Sequence, residues 1–134
     1  MRNSLRIALF TAAALACGCA AAEPAELAPG LDACLEKNST TFGMRDCYER
    51  AAKHQDKLLN ANYKAAMAGC SNAPDPGACK NRLRTAERAW IGYRDAMQAY
   101  ILASGEGSLR HVIAAEFLAS ETAKQARYLD ATQN

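Results

Sequence analysis

The chain is poor in the residues that build sheets and in those that carry common chemistry. Its 134 residues include one valine, four isoleucines, one tryptophan and two histidines. Beta-branched residues this sparse, abundant alanine and no strand-like alternation argue against a β fold and favour helix. No internal repeat appears. There is no Cys-x-x-Cys, and the only histidines are His54 and His111. That leaves no zinc-ligand set, and no metal or cofactor is expected. No HExxH, no phosphate-binding loop and no GxSxG is present. The candidate carboxylates near apolar faces, Glu87, Asp95 and Glu116, belong to no hydrolase signature. A non-enzymatic protein is expected.

Net charge is also lacking. The 16 Lys+Arg stand against 14 Asp+Glu. Arg2 and Arg6 fall in the leader described next, so the remainder balances at 14 against 14. A neutral surface of mixed sign offers no footprint for nucleic acid or for an acidic membrane.

The first six residues are basic, residues 7–16 are apolar, and small residues follow. This is the pattern of a secretory signal, with an apolar part too short to span a bilayer. Two exits follow from it. Cleavage after Ala22 leaves Glu23 first; alternatively Cys17 or Cys19 carries a lipid, although neither follows a good lipobox. Soluble export is the preferred reading, which places the protein in the periplasm or outside the cell. Membrane insertion is not expected beyond that lipid anchor. Residues 23–30 read as a tether, and residues 31–134 as a single domain.

Export brings the chain into an oxidising compartment, where disulfides form. Four cysteines remain after the leader, Cys34, Cys47, Cys70 and Cys79, and four allow three pairings. The preferred set is Cys34–Cys47 with Cys70–Cys79. The second pair flanks Ser71-Asn72-Ala73-Pro74-Asp75-Pro76-Gly77, a turn-rich stretch that brings its ends together readily. Each closure stabilises by about 2–3 kcal/mol in the chain-entropy model.

Apolar positions then recur at steps of three and four in three long segments. A short helical turn around residues 31–37 carries Cys34. The first long helix is expected over about 43–68, on Met44, Cys47, Tyr48, Ala51, Gln55, Leu58, Leu59, Tyr63 and Met67. The second runs over about 77–103, on Leu83, Ala86, Trp90, Tyr93, Met97, Tyr100 and Ile101. Gly105-Glu106-Gly107-Ser108 breaks it, and Ser108 can cap a third helix over about 109–131. Three long helices with short connections predict an all-α, antiparallel, disulfide-stapled bundle.

Trp90 and Tyr93 fall at core spacing, so packing is their expected role, with anchoring of a partner as the sharper alternative. Arg94 and Asp95 are neighbours in a helix and point apart, so Arg94 is expected to reach a carboxylate or carbonyl on another helix. Asn60 or Asn62 is expected to bond across to the second helix near Tyr93 or Arg94. His111, just after the glycine turn, is expected at the surface.

An ordered set of pieces carries a family likeness: Cys34 with Cys47, Leu59-Asn60 with Tyr63, Ala89-Trp90-Ile91 with Tyr93-Arg94-Asp95, Gly107-Ser108, and Thr122 with Leu129. In these the chain resembles the lysozyme-inhibitor LprI-like N-terminal domain family, small exported helical proteins of bacteria. The likeness covers about residues 34–129. It departs where members often carry a further cysteine pair, here replaced near Met97 and at Phe117, and where an arginine is usual, here Gln125.

The resemblance implies inhibition of lysozyme, a muramidase whose cleft holds two carboxylates. An inhibitor of that kind needs a rigid protrusion carrying donors. The candidates are the loop closed by Cys70–Cys79, with Asn72 and Asp75, and the turn with Glu106, Ser108, Arg110 and His111. The rival reading is an immunity or envelope-maintenance module whose partner is some other protein.

Overall fold

The computed structural model describes residues 27–131. The basic start, the apolar run, the expected cleavage position after Ala22 and the two cysteines Cys17 and Cys19 lie outside those residues. Four α-helices follow in order: α1 (Leu31–Lys37), α2 (Thr41–Gly69), α3 (Pro76–Ser104) and α4 (Leu109–Ala131), with a 3-10 turn at Cys70–Asn72. The three long helices match the expected segments to within two residues at each end. No strand occurs among the described residues.

The helix starts have local causes. The Thr40 hydroxyl accepts from the Gly43 amide at 3.1 Å, and the Asp75 carboxylate accepts from the Ala78 amide at 2.9 Å. Each satisfies one of the orphan donors at a helix start. Pro76 stands in the first turn of α3, where its missing N–H costs nothing. Gly30, at φ 79°, turns the chain into α1 in the left-handed region that favours glycine.

Consecutive long helices run antiparallel, so α2 and α4 run parallel. Thr41 bonds Ser108 near their starts, and Asn62 bonds the Ala126 carbonyl near their ends. The α2–α4 seam is the core. Ala51 and Cys47 of α2 meet Ala119 of α4, with Ala28 and Leu31 sealing one side. Ala114, Ala115, Ala123 and Ala126 continue the buried line along α4. Side chains this small let two helix axes approach closely. Further along, Leu59, Ala126 and Leu129 form a second cluster on which Tyr63, Leu83 and Trp90 pack. Both disulfides have the expected pairing, Cys34–Cys47 and Cys70–Cys79. The first ties α1 to α2, and the second ties the end of α2 to the start of α3. Leu27 and Ala28, at the end of the stretch read as a tether, pack against the core.

α3 departs from expectation. Its single buried residue is Glu87, while Ala86, Tyr93 and Tyr100 are exposed. Helix geometry gives the reason. A step of three residues rotates about 60° backward around the axis. The line from Leu83 through Glu87 and Trp90 to Ile101 therefore faces α4, and Ala86, Tyr93 and Tyr100 turn off it to one side. The wide stripe in the sequence is two faces, of which the protomer covers one.

Candidate functional site

Three places on this frame could engage another molecule. The first is the turn between α3 and α4. Gly107 adopts φ 66° there. Arg110 Nη1 donates to the Gly105 carbonyl at 3.1 Å, and the Gly105 amide donates to the Ile101 carbonyl at 3.3 Å. The Thr41 hydroxyl donates to the Ser108 hydroxyl at 3.1 Å, anchoring the turn on the start of α2. A Cβ at Gly105 would stand 2.7 Å from Arg110 Cβ, so glycine is needed for this close approach. Glu106 and His111 are exposed. Large apolar side chains stand bare at the same end: Phe42 is 65% exposed, with the Arg45 guanidinium 4.3 Å from its ring, and Leu109 is also exposed.

The second place is the loop closed by Cys70–Cys79. Asn72 is exposed, and the exposed Asp75 spends one carboxylate oxygen on capping α3. This loop sits at the opposite end of the molecule from the glycine turn. A helix of 29 residues separates them by about 43 Å. The candidate residues thus fall into two groups that cannot share one small contact.

The third place was not visible in the sequence. α2 and α3 barely touch, and the gap between them is a cleft of about 720 Å³ floored by α4. Ala114, Ala115, Leu118 and Thr122 form the floor. Arg45, Glu49, Lys53, Asp56 and Lys57 line the α2 wall, Arg94, Gln98 and Leu102 the α3 wall, and His111 lies at the turn end. The carboxylates that line it are Glu49 and Asp56; Glu87, Asp95 and Glu116 do not.

The motif residues have mainly structural surroundings. Leu59 is buried in a cluster with Ala126 and Leu129, and Tyr63 and Trp90 pack against that cluster. Asn62 Nδ2 donates to the Ala126 carbonyl at 2.8 Å, so the crossing bond expected of an asparagine goes to α4 and not to α3. α4, rather than α3, is the helix against which α2 packs. Asn60 stays on its own helix, donating to the Asp56 carbonyl at 2.8 Å and its carboxylate at 3.1 Å. Arg94 also stays local, against expectation. Its Nε and Nη2 donate to Asp95 at 2.9 and 2.8 Å, and its guanidinium lies 4.9 Å from the centre of the Trp90 ring, one turn back. Stacking on that ring folds the long side chain along its own helix, within reach of its neighbour's carboxylate.

One polar clamp was missed. Gln125 Nε2 of α4 donates to the Glu87 carboxylate of α3 at 2.9 Å. Glu87 is only 9% exposed. Its signal was present, a glutamate four residues after Leu83 and three before Trp90 on the face toward α4. Gln125 is the position where the family likeness leads one to expect arginine, and glutamine supplies a neutral donor there.

Burial, and then the charges of Glu116 and Asp32, raise the Tyr48 hydroxyl above its ordinary pKa of 10.0. Among the described residues no three His, Cys, Asp or Glu converge as a metal site, and no helix is long and apolar enough to cross a membrane.

No curated protein and no solved structure matches the chain. A family model does, over residues 34–129, from the first cysteine of the α1–α2 disulfide to the last buried leucine of α4. The match spans well over half of the chain and all but the outermost residues of the helical frame, and the chain belongs to the family described as lysozyme inhibitor LprI.

Proposed function

We propose that this chain inhibits lysozyme by presenting the Gly105–His111 end of the bundle to the enzyme's cleft. Family membership supports the target. The observation that carries the choice of end is the construction of the turn. It is held by Arg110 on the Gly105 carbonyl and by Thr41 on Ser108, and it is flanked by bare Phe42 and Leu109. A pre-ordered protrusion loses little conformational freedom on docking. Exposed aromatic and aliphatic side chains beside it offer the kind of anchor that dominates binding energy. Arg110 is engaged with its own turn, so His111 is the exposed donor aimed at a carboxylate-lined cleft. The two disulfides fit export to the periplasm or beyond.

The test compares the two ends. Inhibition of peptidoglycan hydrolysis is titrated for Phe42→Ala, His111→Ala and Leu109→Ala at the turn, and for Asn72→Ala at the opposite loop. The turn variants together should weaken inhibition by about tenfold or more, the loss of an anchor worth at least ~1.4 kcal/mol, with Asn72→Ala unchanged. Loss confined to Asn72→Ala would move the contact to the disulfide-closed loop.

The cleft between α2 and α3 favours a second reading, an envelope interaction module that receives a segment of a different protein. Its size is that of many ligand pockets. Capture from an envelope extract separates the readings. A muramidase held through the turn supports the first, and another protein displaced by Lys53→Glu with Lys57→Glu supports the second.

A further inference from the structure

α3 has a second apolar face that nothing in the protomer covers. Ala86, Ala89, Tyr93, Ala96, Tyr100 and Ala103 follow each other at steps of three, four, three, four and three. That is the heptad spacing of a coiled-coil seam. All six are exposed, Tyr93 at 50% and Tyr100 at 63%. The positions flanking the seam bring no charge either: Trp90 and Met97 on one edge, Gly92 and Ala99 on the other. The charged residues between them, Glu87, Arg88, Arg94 and Asp95, all lie around the other half of the helix.

The order of large and small residues along this seam is self-complementary. An antiparallel pair of α3 helices, related by a two-fold axis between Arg94 and Asp95, sets Tyr93 against Ala96 of the second copy. The same axis sets Tyr100 against Ala89 of the second copy, and Ala86 against Ala103. Each ring meets a methyl-sized gap. A parallel pair would instead stack tyrosine on tyrosine and alanine on alanine, leaving bulges and voids. Gly92 adds an independent sign. Glycine disfavours a helix interior, yet a Cβ at Gly92 meets nothing within 4 Å in the protomer. Its smallness has no use inside one copy, and it lies at the seam's edge, where a second backbone would come close.

We infer that this face is an interface between two copies of the chain, an antiparallel α3–α3 dimer with two-fold symmetry. The seam from Ala86 to Ala103 is about 26 Å long. At about 10 Å wide it covers roughly 260 Å² in projection on each copy, and because interlocking side chains bury about twice their projected area, the pair buries on the order of 1,000 Å² in total, the lower edge of specific interfaces. The dimer is therefore concentration-dependent. It leaves the Gly105–His111 turn of each copy at opposite ends of the pair, and it stands or falls independently of the lysozyme reading.

Sedimentation velocity of the full disulfide-bonded chain, from micromolar to near-millimolar concentration, tests it. The mass should rise from one copy to two across that range. Ala96→Tyr places two rings against each other at both symmetric contacts and should weaken dimerisation by about tenfold or more. Tyr93→Ala combined with Ala96→Tyr exchanges large for small and should bring the dimer back. Helicity, read by circular dichroism, should be unchanged in all of these, because both positions are exposed in the protomer. A chain that stays monomeric throughout overturns the inference. So does a dimer indifferent to Ala96→Tyr, or one that the double exchange fails to restore.

Discussion

α4 and α3 contain six alanines each and use them in opposite ways. Along α4 the alanines at positions 114, 115, 119, 123 and 126 are buried, Ala119 and Ala123 at 0% exposure, and Ala119 clusters with Cys47, Ala51 and Ala52 of α2. Along α3 the alanines at positions 86, 89, 96 and 103 face water, and the helix touches the rest through Leu83, Glu87 and Trp90. Alanine lowers the cost of helix formation in both places. In one it also permits close approach and fixes the frame; in the other it leaves a helix held at one line of contacts, at the Cys70–Cys79 staple and at the glycine turn. The frame is thus a rigid pair, and α3 is the element with surface to offer.

That contrast makes its own trials. Ala119→Leu forces a larger side chain into a fully buried contact and should cost about 1–3 kcal/mol. The same change at exposed Ala89 should fall within about 0.5 kcal/mol. Urea melts of dilute, monomeric protein measure both, and equal costs would break the comparison. Gln125→Leu deprives the buried Glu87 carboxylate of its donor, and leaving such a group unpaired should cost about 2 kcal/mol. Adding Glu87→Leu to it should recover part of that loss. Gly92→Ala should stabilise the lone protomer by about 0.5–1 kcal/mol, since alanine suits a helix better than glycine and space is open there. The same change should weaken any pairing through α3.

The smallest effect belongs to Tyr48, packed against the core near α1. Its folded pKa is raised above the unfolded value of 10.0 by burial and by Glu116 and Asp32. A proton is then held more tightly in the folded state. The corresponding stability is complete below pH 10 and is lost as pH rises through the higher folded value. Tyr48→Phe should flatten the decline of melting temperature across that alkaline range.

Much of this frame was legible because the pattern was redundant. Three segments with steps of three and four, punctuated by a disulfide loop and by Gly105–Ser108, left little freedom in where helices begin and end. Helix partners were harder to read. The sequence has Tyr93 and Trp90 on what looks like one stripe, and only the packing reveals that Trp90 faces α4 and Tyr93 does not. Asn62 could be read as a bridging residue, but its partner depends on which helix lies opposite, and that is α4. Arg94 shows the limit of a rule about neighbours: stacking on Trp90 bends it back to Asp95. The cleft between α2 and α3 depends on how far two helices splay, which no local spacing records.

The most direct test of the proposed activity is a titration of the oxidised protein into a lysozyme assay on peptidoglycan. Saturable inhibition near one molecule of protein per enzyme is expected, lost when Phe42 and His111 are both replaced by alanine in a chain that remains helical. An oxidised, folded chain that leaves every class of lysozyme at full rate would contradict it.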